Sequence, residues 1–126
     1  MIAEAVLCLA LNVFHEARGE PWEGRLAVAL VVRNRAEKYG TSICWETFRD
    51  SQFSWTSDVS KLRTLPTGDK WDEAIVVARI VVAGTADITR GADHYHTVSV
   101  RPRWSRDPRM KRIGVWGSHA FYQMTP

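Results

Sequence analysis

Cysteine is nearly absent: the 126 residues hold two, Cys8 and Cys44, too few for a disulfide framework or a zinc-knuckle set. No apolar run approaches the ~18 residues that a membrane span needs. The 5 prolines and 8 glycines show no period, which excludes collagen-like and low-complexity architectures. Charge of one sign is also lacking: 17 basic against 14 acidic residues leave a net +3, and the apolar share is 45%. A chain so composed is not intrinsically disordered. No linker divides it, and the length suits one domain, residues 1–126, able to bury roughly two-thirds of its unfolded surface.

Cys8 stands inside an apolar helical run and reads as a buried free thiol, with a Cys8–Cys44 bridge as the alternative. Met1–Phe14 is apolar enough to resemble a signal peptide, yet Glu4 stands where a basic residue is expected and no small-residue cleavage site comes after it, so it reads as a domain helix. Synthesis in the cytoplasm without a secretory signal is the corresponding expectation. Residues 85–126 carry seven of the basic residues and only three of the acidic ones. The cluster Arg101, Arg103, Arg106, Arg109, Lys111 and Arg112 suggests an anionic polymer as partner, against the plainer reading of a solvated loop.

Apolar spacing predicts helices over Ile2–Ala17, from Pro21 to about Lys38, and over Asp69–Ala83, with Asp69 as cap and glycines 19, 40 and 84 as stops. In the second helix, Leu26, Ala27, Leu30 and Val31 mark the stripe toward the core. The stretch 41–68 reads as irregular apart from a turn of helix near Cys44–Phe48, and long connections of this kind are usually functional. Short extended pieces come next, near Asp93–Val98, Arg112–Trp116 and His119–Gln123, with a tight turn at Gly117–Ser118. Helices first and a small β-rich region afterwards make an α+β domain with a cleft between the two parts.

Glu16 is the carboxylate best placed for acid chemistry. It shares a helix face with Asn12, four residues earlier. An apolar helix and the negative end of its dipole both favour the protonated form, as a general acid near neutral pH requires. A surface glutamate in a frayed last turn is the competing reading. Glu20 and Glu23 are accounted for as first-turn acids of the second helix, and Arg18 as their neighbour in the turn. His94, His96 and His119, with Glu16, could be drawn as a zinc hydrolase site, but no diagnostic ligand spacing is present. If His94 and His96 face the cleft, alternation turns Asp93 and Tyr95 away from it. The six tryptophans offer flat rings for stacking on sugars, and Gln52-Phe53-Ser54-Trp55 combines amide, hydroxyl and aromatic groups in the long loop.

The block Asn12-Val13-Phe14-His15-Glu16-Ala17-Arg18-Gly19-Glu20-Pro21, then Gly24 and Ala27-Val28-Ala29-Leu30-Val31-Val32-Arg33-Asn34-Arg35, resembles the opening of the SleB-type cell wall hydrolases. The likeness continues through Ile43-Cys44, Gln52-Phe53-Ser54, Gly91-Ala92-Asp93-His94-Tyr95-His96, Pro102, Trp104 and Gly117-Ser118-His119-Ala120-Phe121-Tyr122. It implies a lysozyme-like α+β domain, a helical core with a small β-rich region flanking a substrate cleft. It also implies cleavage of peptidoglycan between N-acetylmuramic acid and N-acetylglucosamine, with Glu16 as the single catalytic carboxylate. Gln52, Phe53, Ser54, Tyr95, His96, Trp104 and His119 are expected to hold the glycan. No metal and no cofactor is expected, and bacterial peptidoglycan is the partner, without nucleic acid or stable membrane insertion. A monomer is expected, resembling a phage endolysin that is made in the host cytoplasm and reaches the wall with the help of a holin-type partner. Two other readings stand beside this one: a zinc-dependent N-acetylmuramoyl-L-alanine amidase using the histidines, and a wall-glycan-binding module without catalysis.

Overall fold

A computed structural model of the chain describes residues 3–49 and 64–126. Among the described residues, four helices precede a three-stranded antiparallel sheet: α1 (Glu4–Ala17), α2 (Trp22–Tyr39), α3 (Ile43–Phe48), α4 (Asp69–Ala83), then β1 (His94–Thr97), β2 (Met110–Trp116) and β3 (His119–Met124), in the order β1-β3-β2. A 3-10 turn, Arg103–Arg106, lies between β1 and β2. The α+β expectation holds, and the elements fall within a few residues of where periodicity placed them. Asp69 is the first helical residue of α4 rather than its cap, which is Gly68. The single turn anticipated near Cys44 is α3, and its cap is Ser42, whose hydroxyl accepts from the Trp45 amide at 2.9 Å.

The free-thiol reading of Cys8 is overturned: Cys8 and Cys44 form a disulfide, with Cα atoms 5.2 Å apart. The sequence shows Cys8 on a buried face of α1 but not that α3 packs against the same face. The bridge ties α1 to the short α3, which is too brief to be stable as a helix on its own.

Helix α2 is the centre of the molecule. Leu26, Ala29, Leu30 and Val32 pack with Leu9, Val13, Val77 and Val81 of α1 and α4, while Ala27, Val28 and Val31 pack with Ala17, Ala92 and Phe121. The expected single stripe is therefore two, one for the helical cluster and one for the sheet, as for a helix buried on most sides. Burying each of these larger side chains contributes about 1.5–3 kcal/mol.

The motif Arg33-Asn34-Arg35 fastens this helix to the connection between α4 and β1. Arg33 donates to the carbonyl of Thr85 at 2.8 Å, just past the end of α4. The Asn34 amide donates to Asp87 and to the Ala92 carbonyl, each at 2.9 Å. Arg35, buried, donates from Nε to the Asp93 carbonyl at 2.6 Å. These residues have the look of a functional motif, and their visible role is to satisfy the backbone that leads into β1.

Candidate active site

Glu16 occupies the last turn of α1 and is half-buried. Asn12, one turn earlier, is fully buried. Across from them stands Tyr95 of β1, whose ring packs against both core clusters and meets His119 edge-on, with ring centroids 5.2 Å apart. Burial pushes the Tyr95 phenol well above its ordinary value, the Glu16 carboxylate pushes it further, and Arg35 and Asn12 act in the opposite direction. The phenol therefore keeps its proton throughout the neutral range and presents a neutral O–H to the surroundings of Glu16.

This corrects the facing assigned to β1. Tyr95 pairs with Phe121 and His96 with Ala120, and Tyr95, Phe121 and His119 form the face against the helices. His94 and His96 lie on the other face with Trp104 and Tyr122: His96 stacks on Tyr122 at 5.3 Å, and the Trp104 ring lies 5.1 Å from His94 and 5.5 Å from His96. Alternation shows that Tyr95 and His96 point apart, but only the packing of α1 decides which one meets Glu16. The larger apolar ring is the one that goes inward.

The zinc site drawn from the histidines does not assemble, because His119 lies on the face opposite to His94 and His96. Both nitrogens of His96 are engaged, Nε2 with the Tyr122 hydroxyl at 2.9 Å and Nδ1 with the Thr97 carbonyl at 2.7 Å. Among the described residues no three histidine, cysteine or carboxylate side chains converge as a metal site would need.

Glu20 has a different task from the one its place before α2 suggests. Its carboxylate accepts from both the backbone N–H, at 3.0 Å, and the hydroxyl of Ser118 in the β2–β3 turn, and His119 Nδ1 lies 2.7 Å from it. Burial opposes its ionisation, but the Ser118 hydrogen bonds and His119 outweigh that and hold its pKa below the ordinary value. Burial in turn pushes His119 toward its neutral form, with Glu20 opposing. Gly117, at φ +61°, sits where a Cβ would lie 3.1 Å from the Glu20 carboxylate. The strand order brings the two together across 98 residues, and no local signal in the sequence announces it.

Asp93 is likewise committed. Its buried carboxylate takes Lys38 Nζ at 2.6 Å, His94 Nδ1 at 2.8 Å and the Met124 amide at 2.9 Å. Burial raises its pKa, and those partners more than offset the rise. Arg18 lies over the Phe14 ring at 4.7 Å. Gln52, Phe53, Ser54 and Trp55 lie outside the described residues.

The sequence profile of the Cell Wall Hydrolase family matches residues 19–122. The chain belongs to the cell wall hydrolase family. The match opens at Gly19, so the role of Glu16 rests on its helix and surroundings rather than on the matched span. The fold is that of two solved structures. The catalytic domain of the germination-specific lytic transglycosylase SleB from Bacillus anthracis superposes with a TM-score of 0.80 at 24% identity, covering 94% of this chain and 93% of that one. The catalytic domain of the Bacillus cereus SleB protein gives 0.76 at 23%, covering 98% and 93%. No curated protein sequence matches the chain. In this cell wall hydrolase the residues of the Glu16-Ala17-Arg18-Gly19-Glu20 block divide their work, Glu16 toward Tyr95 and Glu20 toward the Ser118 turn.

Proposed function

We propose that this hydrolase cleaves the glycosidic bond between N-acetylmuramic acid and N-acetylglucosamine as a lytic transglycosylase, with Glu16 as acid and then base. The supporting observation is the distribution of carboxylates. Glu16 sits half-buried beside a protonated Tyr95, whereas Glu20 and Asp93, the acids nearest to it in sequence and on the facing strand, are each held by other partners. Glycosidases that use water generally set a second carboxylate about 5–9.5 Å from the acid.

With Glu16 acting alone the reaction still balances. Glu16 gives its proton to the glycosidic oxygen, the bond from that oxygen to the muramic acid C1 breaks, and N-acetylglucosamine leaves with a 4-hydroxyl. The 6-hydroxyl of the same muramic acid bonds to C1 and returns its proton to Glu16. The enzyme ends as it began and no water is consumed. Asn12, hydrogen-bonded to Tyr95, positions the buried neutral phenol near the carboxylate, where a preorganised dipole acts with little screening.

Mass spectrometry of fragments released from purified peptidoglycan tests this reading. The 1,6-anhydro product is one water lighter than the hydrolysed one. Fragments ending only in reducing muramic acid would replace transglycosylation by hydrolysis, and release of free peptides would replace glycan cleavage by amide cleavage.

A further inference from the structure

The sheet face turned away from Glu16 carries a cleft of about 490 Å³ beneath the segment that joins β1 to β2, within the ~300–1,000 Å³ usual for small-ligand sites. Its polar lining is strongly one-sided: Arg101, Arg106 and Arg112 all border it, and among the described residues no carboxylate does. Among the described residues none of these three guanidinium groups has an ion-pair partner, although Arg109 nearby is paired with Asp107. The rest of the wall is mixed, with Val98, Val100 and the Tyr122 ring beside Ser105 and His96.

We propose that this cleft seats the acidic peptide carried on the lactyl group of muramic acid, so that the enzyme recognises glycan and peptide stem together. The inference rests on peptidoglycan as the substrate. Three planar forks suit carboxylates, which arginine engages through paired hydrogen bonds. The valine and tyrosine surfaces beside them suit the alkyl side chains of a short peptide, and suit a bare polyphosphate or an uncharged sugar chain less well. Position agrees with chemistry. Tyr95 addresses Glu16 and the next residue, His96, lines the cleft, and β1 is an edge strand of the sheet. The cleft and the surroundings of Glu16 are thus addressed by neighbouring residues on opposite faces of one edge strand.

The test compares glycan chains that carry stems with the same chains stripped of them by an amidase, using Arg106→Gln/Arg112→Gln and the parent enzyme. Each exposed charge pair is worth about threefold, so the double variant should lose about tenfold of its preference for stem-bearing chains, through KM rather than kcat. Removing the same two charges outside the cleft, as Arg103→Gln/Lys111→Gln, should keep the preference. A soluble N-acetylmuramoyl tripeptide should shift NMR signals of the cleft residues in the parent enzyme and not in the cleft variant. Equal losses on both kinds of chain, or equal binding of the muramoyl peptide by both proteins, would overturn the proposal. If neither chain is cut by the parent while the muramoyl peptide still binds through the arginines, glycan cleavage is what fails and the cleft assignment stands.

Discussion

Breaking the bond between Cys8 and Cys44 puts a number on how far one covalent tie supports the helical part. The two residues are 36 apart. Closing a loop of this length removes roughly 13 cal/mol/K from the unfolded chain, or about 4 kcal/mol at 25 °C. An unfolding entropy near 2.1 cal/mol/K per residue gives about 260 cal/mol/K for a chain of this size, so reduction should lower Tm by about 15 °C. Circular dichroism melts with and without reductant measure this directly, and the Cys8→Ala/Cys44→Ala variant should melt near the reduced parent and ignore reductant. Because α3 is short and the bridge is its covalent anchor to α1, the reduced protein should also lose hydrogen-exchange protection first at Ile43–Phe48. A fall of less than about 3 °C would refute the reasoning, because the unfolded chain would then already keep α1 and α3 together without the bond.

Glu16→Gln should cost about 10²–10⁴-fold in wall lysis, the usual worth of a general acid, with Tm unchanged or raised; lysis near the parent rate would remove Glu16 from the mechanism. Glu20→Gln should cost about 1.5–3 kcal/mol of stability, because hydrogen bonds to a charged acceptor are replaced by neutral ones. Since the folded pKa of Glu20 lies below its ordinary value of 4.5, its contribution is complete above that value and is lost as pH falls through the folded one. Denaturation of Glu20→Gln should therefore depend less on pH in the acid range than that of the parent, and parallel profiles would contradict the pairing. Lysis should persist in EDTA or phenanthroline, since His119 is turned away from His94 and His96; inhibition that added zinc reverses would revive the amidase reading.

The helices were legible because their apolar spacing and terminal glycines act within a few residues, and the β2–β3 hairpin because Gly117-Ser118 separates two extended runs. What depended on distant packing was not legible. Cys8 showed its burial but not its partner. Tyr95 and His96 showed that they point apart but not which one meets α1. Glu20 looked like a helix-start acid because Pro21 is the next residue, and its real partners, Ser118 and His119, stand near the other end of the chain. The place of Glu16 was legible because the last turn of an apolar helix is a local fact.

The attachment of α2 by Arg33, Asn34 and Arg35 has a mechanical meaning. Glu16 belongs to the N-terminal half of the molecule and Tyr95 to the C-terminal half, and this helix is packed into both. Moving one half against the other would strip the buried Arg35 and the half-buried Arg33 and Asn34 from the carbonyls of Asp93, Thr85 and Ala92, each at a penalty of about 1–3 kcal/mol where the group stays away from water. The distance between acid and phenol is thus set when the chain folds and not when substrate arrives.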